Sequence, residues 1–318
     1  MQHKNPPSLL AMLKSAGRFI FMQYQKHYSS PSQLLEILQR RGLNCSGVAD
    51  AGGVLRSIGY YRLSGYLYPL LQIPKTAHIY KVGSRLEQAI GLYEFDRKFR
   101  LLVLDQIERI EVAVRSAIVN IMCAETDNVF WITTPSYFAN TEKFSRTISL
   151  IDRELQSSRE DFIVHFNQTY DNAYPASWMI AEVMPLGVLT RVYENIASNQ
   201  VRKKIARTFG LNIPVFTSWM TIVTLTRNTC CHHARLWNRN LSLRALTMSR
   251  PSTPWVSNNV HQGRVFFTLC ILKHFVDIIK PHNSFKQNIE ALLNAYPNVD
   301  THAMGFPVNW QEECLWRN

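Results

Sequence analysis

The densest run of chemically capable side chains is Arg227-Asn228-Thr229-Cys230-Cys231-His232-His233-Ala234-Arg235-Leu236-Trp237-Asn238-Arg239. Asn228 and His232 are four apart and would share one face of a helix. Arg227 lies about 140° round from His232, but its long side chain can lean toward the same groove, whereas His233 points elsewhere. Such a set suits cleavage of RNA without a metal ion. The 2′-hydroxyl attacks the neighbouring phosphorus, and an imidazole takes or gives the proton near neutral pH. A planar guanidinium stabilises the charge that builds on the phosphorane. The spacing alone is not specific. Arg227 with His232, Arg227 with His233, and Arg159 with His165 all fit Arg-x4-6-His, about what chance delivers. Two rival readings stand beside the nuclease. Cys230, Cys231, His232 and His233 are all zinc-capable, although adjacent helical residues diverge by about 100° and structural zinc sites favour spaced pairs. The histidines could also be a buried pair with no chemistry.

Context lifts the cluster above the count. The chain of 318 residues carries 35 Lys and Arg against 23 Asp and Glu. From Asn195 to Val276 there is no acidic residue, and these 82 positions hold eleven basic ones: Arg202, Lys203, Lys204, Arg207, Arg227, Arg235, Arg239, Arg244, Arg250, Arg264 and Lys273. The remainder, with 24 basic and 23 acidic residues, is nearly balanced. A one-signed block of this kind reads as a surface for a polyanion, most often nucleic acid. The candidate phosphate-holding cations are His233, Arg235, Arg239, Lys203, Lys204 and Arg207. The tryptophans Trp219, Trp237 and Trp255 read as core rather than stacking platforms.

The elements that must hold these residues read as helices. At 46% apolar and 18% charged, the chain can build a core and is not wholly disordered. Six cysteines without a Cys-x-x-Cys pair give no disulfide framework and read as reduced, mostly buried thiols. No stretch approaches a membrane span, and the apolar run of Met1–Met22 contains Lys14 and Arg18, a poor secretory signal. A cytosolic protein is expected, with no membrane partner.

Ser30-Pro31-Ser32-Gln33 predicts a capped helix start that runs to Gly42. Ser84-Arg85-Leu86-Glu87 predicts a second capping box, opening an uninterrupted helix that extends past Ala124. Its apolar stripe, Val103, Ile107, Ile110, Val114, Ala117 and Ile121, alternates steps of four and three and predicts left-handed bundle packing. Asp96 and Arg100 flank that stripe four residues apart, and Glu111 and Arg115 form a similar pair. They read as helix-stabilising ion pairs, or as groups that orient a catalytic helix. Further helices are predicted at 142–156, 158–169, 176–198, 200–208, 214–240, 262–280 and 284–295, with a loop over Ser249–Asn259. The fold class is therefore all-α, a helical bundle with accessory helices.

Several motifs in order resemble the Abi-like family of bacterial abortive-infection proteins, the AbiD and AbiF type, within the HEPN superfamily. They are Gly59-Tyr60-Tyr61-Arg62-Leu63-Ser64-Gly65-Tyr66, Leu92 to Arg100, Ile107 to Arg115, Phe130-Trp131, Pro175 to Met179, Gly187 with Leu189, and Arg227 to Arg239. The resemblance runs over roughly residues 30–316. Cys231 and Pro185-Leu186 depart from the expected pattern. What the resemblance implies is a HEPN-type core at 84–248 carrying the Arg-x4-His motif, an accessory region at 1–83 and a C-terminal extension at 249–318. It implies a metal-independent endoribonuclease of an anti-phage system, with Arg227 and His232 as the catalytic pair, Asn228 as the polar residue following the Arg, and no cofactor. It also implies a bacterial homodimer with RNA as substrate, and a small noncoding RNA or an antitoxin as candidate partners. A non-catalytic regulator that holds a small structured RNA is the alternative.

Overall fold

A computed structural model describes residues 25, 27–248, 251, 253–257 and 259–317. Met1–Met22, expected to be a poor secretory signal, and Arg250 of the basic block lie outside the described residues. Twelve α-helices are described: α1 Pro31–Arg40, α2 Ala51–Ile58, α3 Tyr60–Leu67, α4 Leu86–Thr126, α5 Thr141–Ser157, α6 Asp161–Thr169, α7 Ser177–Val183, α8 Leu186–Asn195, α9 Asn199–Thr208, α10 Ile213–Cys231, α11 Val265–Ile279 and α12 Phe285–Ala295. Strand-like pairing among the described residues is limited to isolated bridges, so the fold is all-α. The chain divides into two compact units, residues 1–87 and 88–318.

In the first unit, α1 begins as predicted. The Ser30 hydroxyl accepts the Gln33 amide at 3.3 Å, the Gln33 side chain accepts the Ser30 amide at 2.8 Å, and Gly42 stops the helix at φ 91°. The second predicted capping box does not form. Ser84 turns its hydroxyl to the Leu70 carbonyl, and the Leu86 amide is taken by the Asn44 carbonyl at 2.9 Å, so α4 starts at Leu86. A loop remote in sequence supplied the acceptor that Ser84 would have supplied locally.

In the second unit, α8 packs on both α5 and α10, and α11 packs on α10. Residues Val265 to Val276 of α11 are buried all round, as expected of a helix at the centre of a core. The buried face of α4 is Phe95, Phe99, Val103, Ile107, Ile110, Val114, Ile118 and Met122, while Ala117 and Ile121 are only half-buried. The stripe thus has a single step of three among steps of four, not the predicted alternation. A straight helix drifts off a 3.5-residue repeat, and the buried face moves with it.

Two predicted helices are shorter than their patterns. The segment 176–198 breaks at Met184, which is extended at ψ 131°, because the following Pro185 disfavours helical geometry there. The helix predicted to reach residue 240 ends at Cys231. Among the described residues, no single helix is long and apolar enough to cross a membrane. Cys45, Cys230 and Cys270 are buried, Cys123 is half-buried, Cys231 and Cys314 are exposed, and all six are free.

Candidate functional site

Helix α10 starts with Asn212 capping the Val215 amide at 2.9 Å and Pro214 in its first turn. Its N-terminal two-thirds is core: Val215, Phe216, Trp219, Met220, Ile222, Val223 and Thr226 are buried. The charged and amide side chains come only in the last turn, where the helix emerges. Arg227 is half-buried and Asn228 and His232 are exposed. The His232 amide donates to the Asn228 carbonyl at 3.0 Å, so the two residues are one turn apart on one face. The Arg227 guanidinium reaches the Asn228 side-chain oxygen at 3.5 Å.

The helix ends in a tight turn. The His233 amide donates to the Cys230 carbonyl and the Ala234 amide to the Thr229 carbonyl, each at 2.9 Å, and His233 takes φ 54°. This is the double-bonded C-terminal motif usually closed by glycine. Histidine in the left-handed region is uncommon and carries a cost that the surroundings must offset. The offset is visible immediately downstream. Asp96 of α4, fully buried, accepts the Leu236 amide at 3.2 Å and the Trp237 amide at 2.6 Å. The same carboxylate pairs with Arg100 at 2.5 Å, and Arg100 is buried too. A carboxylate in a dry core must be paired and hydrogen-bonded to be tolerated, and here the required donors are the backbone of the site loop. Leu236 and Trp237 then plug into the core. Asp96 therefore helps position the segment that follows His232.

Arg227 lies in a groove of about 410 Å³ on α4, lined by Leu104, Ile107, Glu108, Glu111, Val112 and Arg115. His232 is not among the lining residues. Glu111 pairs with Arg115 at 3.0 Å, and Arg115 also donates to the Met184 carbonyl at 3.3 Å, tying α4 to the end of α7. Arg227 thus sits in a mixed field, beside Glu108 and Glu111 as well as Arg115.

The remaining residues divide into two places. Arg235 and Arg239 flank the clamped Leu236 and Trp237, with the Arg239 guanidinium donating to the Arg235 carbonyl at 3.5 Å. Lys203, Lys204 and Arg207 are exposed on α9, and Lys204 pairs with Glu125. Asp96 and Glu125 are 29 residues apart on α4, roughly 40 Å at about 1.5 Å per residue. The structure therefore sets the turn between Arg235 and Arg239 at the Asp96 level of α4, Arg227 against residues 104–115 farther along it, and Lys204 of α9 at Glu125. Lys273 is buried and neutralised by Asp277 at 2.5 Å.

The zinc reading fails on direction. Cys230 faces the core, its thiol pushed up to about 12 by burial, while Cys231 faces out. Trp219 and Trp237 are core, and Trp255 stacks on Trp219 at 4.8 Å between ring centroids. Arg159 lines a groove with Glu154, Glu160 and Glu182, so its surroundings are acidic.

The family described as Abi-like protein matches residues 53–238, more than half of the chain. The chain belongs to the Abi-like family. The matched segment ends at Asn238, inside the clamped turn and short of the 30–316 over which the resemblance was read. It contains Asp96, Arg227 and His232 together. Comparison with curated proteins and with solved structures gave no match. Membership points to a role in abortive infection. The Asp96 clamp could not be found from sequence, because its partners are 140 and 141 positions away. The one signal was a carboxylate next to the apolar stripe of a long helix.

Proposed function

We propose that this Abi-like protein is a metal-independent endoribonuclease of the HEPN type, acting in a bacterial abortive-infection system. The observation that carries the reading is the emergent last turn of α10, which presents Asn228 and His232 on one face beside Arg227 and is braced by the buried Asp96. His232 removes the 2′-hydroxyl proton as the O2′–P bond forms. The P–O5′ bond breaks, and a second imidazole returns a proton to the leaving 5′-oxygen. Arg227 neutralises the phosphorane, and Asn228 holds the guanidinium. One chain supplies one such histidine, so the cleft is completed by a second copy related by a two-fold axis. Arg235 and Arg239 hold the RNA backbone beside this cleft, and Lys203 and Arg207 hold it farther off.

Incubation with total RNA in EDTA should yield 2′,3′-cyclic phosphate and 5′-hydroxyl ends. His232→Ala and Arg227→Ala should each lose at least about a hundredfold in rate while staying folded. Strict dependence on an added divalent ion, or full activity of His232→Ala, would end the proposal. A second reading, RNA binding without cleavage, is favoured by the groove that sets Arg227 beside Glu108 and Glu111. Tight RNA binding with no cut ends under any condition would select it.

A further inference from the structure

The motif Gly59–Tyr66 has no part in the chemistry proposed at Arg227 and His232. Gly59, at φ 81°, opens α3. Burial splits this helix in two. Leu63, Tyr66 and Leu67 face inward, whereas Tyr61 is 93% exposed and Tyr68, just past the helix end, is 54% exposed. Residues seven apart on a helix share a face, roughly 10 Å from each other along the axis. Between the two rings lie Ser64 and Gly65, the smallest side chains of the helix, and the Ser64 hydroxyl folds back onto the Tyr61 carbonyl at 2.7 Å. The face therefore carries the open Tyr61 ring and the half-exposed Tyr68 ring, with a low saddle between them. An exposed tyrosine has no stabilising role in a monomer's core.

Charge gathers at one end of this face. The Lys75 ammonium donates to the Tyr68 carbonyl at 2.9 Å and lies 4.0 Å from the centroid of the Tyr68 ring. The Lys81 ammonium donates to the Pro69 carbonyl at 3.1 Å. Two consecutive carbonyls thus hold two like charges side by side. The Lys75 ammonium is held below its usual range by burial and then by Lys81. No Asp or Glu occurs between positions 51 and 86. Of the nearest acids in sequence, Asp50 pairs with Arg56 at 3.4 Å, and the Glu87 carboxylate lies against Gly47 with its Oε2 buried. Over 27–87 the chain carries seven Lys and Arg against three acids, Glu36, Asp50 and Glu87.

We infer that this face of α3 is a platform for single-stranded RNA, on which bases stack on Tyr61 and Tyr68 and a phosphate bridges Lys75 and Lys81. Paired cations with no acid in the same stretch call for an anion, and open rings beside them call for a ligand with flat π-faces. A single strand has both, whereas a duplex keeps its base faces stacked inside. An acidic peptide would satisfy the ammoniums and leave the rings uncovered. Stacking needs the ring and not its hydroxyl. The inference rests on the proposed function only in taking RNA as the ligand.

The test uses the full-length chain with a 12-nucleotide uridine-rich RNA carrying 5-iodouridine. Irradiation and mass spectrometry should place cross-links on Tyr61 or Tyr68. By fluorescence anisotropy, Tyr61→Ala should weaken single-strand binding by about tenfold, and Tyr61→Phe should retain it. The Lys75→Gln, Lys81→Gln pair should weaken binding and make it less salt-dependent, because one phosphate contact is lost. A duplex of equal length should be indifferent to Tyr61. Cross-links confined to 199–239, or unchanged affinity in Tyr61→Ala, would overturn the platform and leave cleavage at His232 standing. Loss of cut ends in His232→Ala with the Tyr61 cross-link intact supports both. An absence of any RNA binding would overturn the two together.

Discussion

Within residues 195–276, one face of α10 and nearly all of α11 up to Val276 are buried, while α9 and the turn after α10 hold no acid at the surface. Within residues 51–86 no comparable buried helix intervenes; Tyr61, Tyr68, Arg56, Arg62, Lys81 and Arg85 stand outside, while Tyr66 and Tyr80 are buried. An acid-free stretch is therefore evidence of a polyanion surface only where its residues reach the surface. Of the eleven cations in the longer stretch, Lys203, Lys204, Arg207, Arg239 and Arg244 are exposed, and Arg202, Arg227, Arg235 and Arg264 are half-buried. Lys273 is buried against Asp277, the residue just past the end of the stretch. Folding takes Lys273 out of the surface charge of the longer stretch and half-covers four more of its cations, whereas in the shorter stretch Arg56, Arg62, Lys81 and Arg85 are exposed and only Lys75 is half-buried.

The sharpest way to break this contrast is at its organising acid. Asp96→Ala should destabilise the chain by about 3–5 kcal/mol, because it leaves Arg100 buried without its carboxylate and two amides without their acceptor. Asp96→Asn should lose less, since it keeps an acceptor. Thermal unfolding of the three proteins reads this directly, and a loss below about 1 kcal/mol would show that the clamp is incidental.

The next test separates buried from surface cations inside one stretch. Lys273→Met should cost about 1–3 kcal/mol of stability and leave RNA affinity as it was. Lys203→Glu with Arg207→Glu should do the reverse, weakening binding to all sequences alike and reducing its salt dependence. Lys204 is the poorer probe because it already answers Glu125. Equal effects of the two sets on RNA affinity would dissolve the distinction.

A smaller effect follows from His274 of α11, fully enclosed, with its ring nitrogen 2.9 Å from the Phe209 carbonyl. Burial holds its pKa below the usual value of 6.5. The unfolded chain then binds the proton more readily than the folded one, so this contribution is present above about pH 6.5 and fades as the pH falls below it. The urea midpoint should drop from pH 7.5 to pH 5.5, and His274→Gln should drop less. The smallest effect is at the turn. His233→Gly removes the left-handed penalty and should raise stability by about 0.5–1 kcal/mol. RNA affinity that falls while stability rises would show that the His233 ring touches RNA.

Much of the scaffold was legible because its signals are local. The Ser30–Gln33 cap, Gly42, and the long run of helix formers from Leu86 to Thr126 are decided by neighbours within one turn. The site was legible as residue types at a spacing, and Asn228 and His232 do share a face. The end of α10 was not, because no glycine or proline marks Cys231. The turn is closed by His233 at a φ that histidine seldom adopts, and no nearest-neighbour preference predicts it.

Composition and local pattern alone determined that the chain is helical, that residues 195–276 are one-signed, and that Arg227, Asn228 and His232 fall together on one helix. Only the tertiary structure decided that Lys273 is a core cation and that the α9 lysines stand roughly 40 Å along α4 from the Asp96 clamp. It alone decided that Asp96 holds the turn beyond His232. The reason is physical. Hydrogen bonds within a turn depend on adjacent residues, whereas the partner of a buried charge depends on which distant segment the packed core brings to it.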